Sequence, residues 1–171
     1  MIETYVVSGS GRVGGNLLAS IIGSCNVKAI HTHDAKYATG NDQTTALIMV
    51  DRRDVFATVM SNLLVWHSDQ STQYPTQIEP YAETPEQFKL LYRLHKQYMA
   101  GHDLTRPYGL IEKFYYEDFV NNHNHVLNRL RLKSIFPITT VPAPYNYRDI
   151  IINYRELFEI YNQLEKHDHV D

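Results

Sequence analysis

Three short clusters hold the residues best suited to chemistry. Gly9-Ser10-Gly11-Arg12-Val13-Gly14-Gly15-Asn16 sets glycines and one arginine between an apolar run and a helix-forming run. Glycines let backbone N–H groups come close to a ligand, and the helix behind them adds its positive end. Together they suit an anion such as phosphate or sulfate. Arg12 contributes a planar fork able to grip two oxygens of that group. His31-Thr32-His33-Asp34 follows at the end of a second apolar run. A histidine exchanges its proton near neutral pH, so His33 is a candidate general base. Arg52-Arg53-Asp54 ends a third such run and offers a place for a second, isolated phosphate.

Which anion the loop takes is open on these residues alone. Gly9-Ser10-Gly11-Arg12-Val13-Gly14 also satisfies the GxGxxG dinucleotide pattern, with Asp34 placed to hold a ribose hydroxyl, as in an NAD(P)-binding Rossmann module. A nucleoside-triphosphate loop is disfavoured, because Gly15-Asn16 stand where lysine and a hydroxyl residue would hold phosphate and magnesium. His31 and His33 share a strand face, but no third ligand is evident, so no metal is expected. His123, His125, His167 and His169 read as solvated surface, and Cys25 as a small buried apolar residue.

These clusters need rigid supports, and the flanking sequence predicts them. Strands are expected at Thr4–Ser8, Val27–Thr32, Ala46–Val50 and Leu110–Tyr116, each of the first three delivering its polar cluster at the carboxyl end. Helices are expected from Asn16, from the Arg-Arg-Asp cluster through Val65, from the Thr84 cap with Phe88, Leu91, Leu94 and Tyr98 inward, and over Asp118–Leu132. A last helix is capped by Asn153, with Leu157, Phe158, Tyr161 and Leu164 inward. His67 to Glu83 reads as a long loop. The alternation predicts an α/β fold, three-layered, with a central parallel sheet of four to five strands. Ligands of such sheets sit beyond the strands' carboxyl ends.

The clusters also resemble a known family. Arg12-Val13-Gly14-Gly15-Asn16-Leu17-Leu18 resembles the loop by which sulfotransferases hold the 5′-phosphosulfate of 3′-phosphoadenylyl sulfate, His31-Thr32-His33 is similar to their Lys-Thr-His, and Arg52 to Ser61 is similar to their arginine-to-serine segment in its bacterial Arg-Arg-Asp form. Tyr115-Tyr116-Glu117-Asp118-Phe119 resembles a later Tyr-Glu-Asp-Leu segment. The resemblance implies a P-loop-like strand, loop and helix at the N-terminus of a small bacterial or viral-type member. It implies sulfuryl transfer from 3′-phosphoadenylyl sulfate to a small-molecule or glycan hydroxyl, without a metal. His33 would be the base; Gly11, Arg12, Val13, Gly14, Gly15 and Asn16 would cradle the donor; and Arg53 with Ser61 would read its 3′-phosphate. Eight residues of helix rise about 12 Å, so Thr58 is the alternative to Ser61. Asn16, His31 and Leu17 depart from the family's residues, which leaves a non-catalytic nucleotide-binding relative as another reading.

Composition narrows the rest. The 171 residues, 43% hydrophobic and 20% charged, predict one folded domain over 1–171 and exclude disordered and collagen-like chains. A net charge of −3 leaves no overall footprint for nucleic acid. The absence of a long apolar run predicts no membrane span. With the single Cys25 and no leader-like start, the expected location is cytoplasmic.

Overall fold

Tyr5-Val6-Val7 and Ala46-Leu47-Ile48-Met49-Val50 are apolar on both sides of the pleat, as strands covered on two faces must be. The computed structural model describes residues 2–33, 44–67, 78–104, 110–138 and 146–168. Along the chain it forms β1 (Thr4–Ser8), α1 (Gly15–Gly23), β2 (Lys28–Thr32), β3 (Thr45–Asp51), α2 (Val55–His67), α3 (Pro85–Leu104), β4 (Leu110–Tyr115), α4 (Tyr116–Phe119), α5 (His123–Leu130), α6 (Tyr147–Ile150) and α7 (Tyr154–Asp168). The strands make one parallel sheet in the order β2-β1-β3-β4. The expected α/β fold with a parallel sheet flanked by helices is therefore the observed one, with four strands.

The chain packs as two compact units, one of Met1–Arg53 with Lys96–Thr140 and one of Asp54–His95 with Val141–Asp171. The first unit holds the sheet. Tyr5, Val7, Ala46, Ile48, Val50 and Phe114 meet Leu18, Ile21 and Ile22 of α1, Phe119 of α4, and Val126 and Leu127 of α5 in one apolar core. On the opposite pleat face Val6 packs on Leu47, and Ser8 Oγ lies 3.4 Å from the Tyr98 hydroxyl on α3. From β1 the chain goes to β2 on one side and then to β3 on the other. The sheet's topological switch point thus lies between the carboxyl ends of β1 and β3, where the two connections diverge.

The second unit is helical. Phe56 sits in a ring cluster with Phe88, Tyr154, Phe158 and Tyr161, at centroid distances of 5.1 to 5.7 Å. Two of its helices start on side-chain caps, Asp54 accepting from the Ala57 amide at 2.8 Å and Thr84 from that of Gln87 at 3.2 Å, whereas the Asn153 oxygen before α7 accepts from the Glu83 amide. Tyr92 donates its single hydroxyl proton between Glu165 and Asp168, with oxygens 2.7 and 2.6 Å away.

Several expectations need correction. The helix expected over Asp118–Leu132 is two helices, since Asn122 at φ −144° and ψ 77° leaves helical space and heads α5. Tyr116 ends no strand but begins α4. On α3 the buried line runs Phe88, Leu91, Tyr92, His95, leaving Leu94 45% exposed; Phe158 on α7 is likewise 43% exposed although it touches Phe56. His123 and His125 are half-buried, with both Nε2 atoms enclosed. Of the long loop, residues 68–77 lie outside the described residues, as do Asp34 and His169; Tyr81 pairs in parallel with Ile151.

A β-carbon on Gly9 would stand 2.5 Å from the Val50 carbonyl oxygen, whereas one on Gly23 meets nothing within 4 Å. Urea denaturation of Gly9→Ala should show a loss of about 1–3 kcal/mol from overpacking. Gly23→Ala should be neutral or gain up to about 1 kcal/mol from helix propensity.

Candidate functional site

The loop that follows β1 is built by close approach. Gly9 lies against the Val50 backbone at the end of β3; Gly14, at φ 89°, leaves no room for a β-carbon beside the Tyr116 ring; and Gly15 is equally tight against the His31 imidazole. Val13, fully buried, pins the loop to the core. Arg12 takes φ 68°, left-handed backbone that a side-chain-bearing residue adopts at a cost. The first intrahelical bond of α1 runs from the Leu18 amide to the Gly14 carbonyl at 3.0 Å. The amides of Gly15, Asn16 and Leu17 therefore have no acceptor within the helix. No side chain caps α1 and no acidic residue stands in its first turn, so its positive end is uncompensated from within.

Two histidines from the end of β2 meet this loop, and they differ. His31 Nδ1 lies 2.8 Å from Asn16 Oδ1, while its Nε2 is enclosed against Gly15 without a hydrogen-bond partner. Burial, with His33 as a smaller cause, pushes its pKa down to about 4, so the ring is neutral at physiological pH. His33, exposed in the bend after β2, places Nδ1 3.0 Å from the Gly9 carbonyl oxygen. A carbonyl only accepts, so Nδ1 donates, and in the neutral ring the lone pair then belongs to Nε2. The two rings stand edge to face, 4.6 Å apart.

The ends of β3 and β4 carry alternating charge. Asp51 pairs with Lys113 at 3.1 Å and accepts from the Arg52 amide at 2.7 Å. Burial opposes the Lys113 charge, but Asp51 outweighs it and the pKa of Lys113 is raised. Arg52 lies 5.0 Å above the Tyr116 ring, with Nε 3.7 Å from Glu117 Oε1 and no hydrogen bond at that buried nitrogen. Arg53 is gripped by Asp118 through two bonds of 2.6 and 2.8 Å and lies 4.2 Å over Tyr115. That hydrogen-bonded pair raises the Arg53 pKa and lowers that of Asp118.

Arg12, Gly11 to Asn16, His33 and Arg53 thus belong to one unit, around one end of its sheet. Ser61 belongs to the other unit, where its side chain in α2 is 1% exposed; Thr58 is buried there too, its hydroxyl 3.1 Å from the Asp54 carbonyl. Sequence reasoning gave no role to Tyr116 or Asp118, and it named Asn16 without its partner. Tyr116 covers Gly14 and underlies Arg52, Asp118 binds Arg53 through two hydrogen bonds, and Asn16 Oδ1 accepts a hydrogen bond from His31 Nδ1. The only available signal was the Tyr-Tyr-Glu-Asp segment, whose acids directly follow a strand. Among the described residues no three His, Cys, Asp or Glu side chains converge as metal ligands, and no helix is long and apolar enough to cross a membrane. Protein-family models, curated proteins and solved structures yield no match to this chain.

The depressed His31 pKa makes stability depend on pH. Between the folded value near 4 and the ordinary 6.5, the unfolded chain holds the proton more readily. The His31 contribution is therefore complete above pH 6.5 and fades as the pH falls toward 4. Thermal melts across that window should show His31→Gln losing stability less steeply on acidification than the unsubstituted chain does.

Proposed function

We propose that the first unit binds a nucleotide carrying separated phosphate and sulfate groups, 3′-phosphoadenylyl sulfate, and transfers its sulfuryl group to a hydroxyl acceptor. One observation carries this reading: the His33 ring is anchored to the Gly9 carbonyl, so a free imidazole nitrogen and an anion cradle form one rigid piece. The donor would bring an activated sulfuryl group and a nucleotide leaving group. The uncapped start of α1 and Arg12 fit its sulfate and 5′-phosphate oxygens, and the Arg52–Arg53 pair beyond β3 fits its 3′-phosphate.

The residues divide the work as follows. Loop amides and Arg12 hold the transferring group and meet the negative charge that grows on the bridging oxygen as its bond to sulfur breaks. His33 Nε2 takes the acceptor's hydroxyl proton as the new oxygen–sulfur bond forms. Arg52 adds its charge beside Glu117, and Arg53 exchanges Asp118 for phosphate oxygens. Exposed ion pairs such as Arg53–Asp118 contribute little to stability, so that exchange is inexpensive.

Calorimetry with 3′,5′-adenosine bisphosphate tests the reading. Binding should exceed that of AMP, Arg12→Ala should cost about 2 kcal/mol, and Arg53→Ala should remove the preference for the bisphosphate. His33→Ala should keep the binding while lowering sulfuryl transfer by about 100-fold or more. Equal affinity for AMP and bisphosphate would sink the proposal. Enhanced NADH fluorescence on mixing would favour the dinucleotide reading of the same loop, and tight bisphosphate binding with no transfer over a broad acceptor panel a non-catalytic relative.

A further inference from the structure

The Asn16 side chain projects from the second residue of α1, beside the amides that have no helical acceptor. Its amide group has two ends, an accepting oxygen and a donating NH2. His31 sits on β2 opposite Val7, with Nδ1 2.8 Å from the Asn16 oxygen. The other side of the imidazole faces Gly15, where even a β-carbon would collide with Nε2. The ring is thus wedged between strand and helix. Its enclosed Nε2 has no partner, so no second hydrogen bond competes for its orientation. An enclosed, unsatisfied nitrogen is disfavoured by the fold and asks for a reason.

We infer that His31 is a positioning residue for the anion site. By donating to Asn16 Oδ1, it turns the Asn16 NH2 away from β2 and toward the ligand at the start of α1, adding a side-chain donor to the loop amides. This rests on the anion-site reading above. A neutral imidazole is what the task requires, since Nδ1–H must donate while Nε2 stays bare against Gly15. A charged ring would need a partner for Nε2–H where the Gly15 backbone leaves no space. Neutrality serves the neighbour too. His33 lies 4.6 Å away, and a charge on His31 would oppose its taking a proton from the acceptor.

A double-mutant cycle read by 3′,5′-adenosine bisphosphate affinity tests the role. Asn carries its amide nitrogen near the position of the imidazole Nδ1, so His31→Asn preserves the donor and discards Nε2. His31→Leu removes the donor. Asn16→Ala and His31→Leu should each weaken binding about five- to tenfold, the double variant no further, and His31→Asn should retain near-native affinity. A merely structural histidine would not be rescued selectively by His31→Asn. Additive losses, unchanged affinity in Asn16→Ala, or equal losses in His31→Asn and His31→Leu would overturn the inference and leave the anion site standing. Failure of the unsubstituted chain to bind the bisphosphate would overturn both. Should His31→Leu not fold, the comparison of Asn16→Ala with His31→Asn decides alone: loss in the first with retention in the second supports the role.

Discussion

At the carboxyl end of the sheet, the backbone of one loop touches three other segments so closely that β-carbons are excluded. Gly9 rests on the end of β3, Gly14 on the Tyr116 ring that opens α4, and Gly15 on His31 of β2. Each contact ties the loop to a different strand end, and together they fix the direction in which α1 leaves the sheet. A side chain at any of them would have to displace a strand or an aromatic ring, because close-packed interiors give little. The strained backbone of Arg12 is tolerable in this setting, since its neighbours on both sides are already held. The position of the start of α1, and of both histidines beside it, follows from the same packing.

Electrostatics divides this end of the sheet into two regions of different character. Around α1 no acid stands in the helix's first turn against its positive end. At the ends of β3 and β4, three described cations have acidic neighbours: Lys113 has Asp51, Arg52 has Glu117 and Arg53 has Asp118. Partly exposed pairs of this kind add little stability. Their effect is to hold the guanidinium groups extended over Tyr115 and Tyr116, at 4.2 and 5.0 Å from the ring centroids. Arginines held this way lose less side-chain entropy when an oxyanion replaces the carboxylate.

Much of the fold was legible because it is written locally. Two-sided apolar runs marked β1 and β3, the glycines marked the loop between β1 and α1, and Thr84 and Asn153 marked helix starts. Errors arose where apolar periodicity had to be turned into a face. Leu94 fits the spacing of Phe88 and Leu91, yet the packed line passes through Tyr92 and His95, which bring polar atoms into the interior. The break at Asn122 was hidden because asparagine is tolerated in a helix and preferred at its cap. In the site, the residue types were readable and their partners were not. Arg53 and Asp118 are 65 positions apart, and their pairing depends on β4 lying beside β3.

The two histidines show how much position decides when chemistry is the same. Strand alternation puts His31 and His33 on one side, and their rings do meet edge to face at 4.6 Å. β2 ends at Thr32, so His31 is still held by the sheet against α1 whereas His33 has already turned out into the bend. One imidazole is wedged, half-buried, between strand and helix, where burial disfavours its charged form, and its Nε2 reaches no partner. The other is exposed, with one nitrogen fixed by the loop carbonyl. The proposed transfer asks of its base that it gain and lose a proton without disturbing the packing around it, and of the two rings the exposed His33 suits that better. The first is suited to the opposite task of keeping its protonation state and holding a neighbour still.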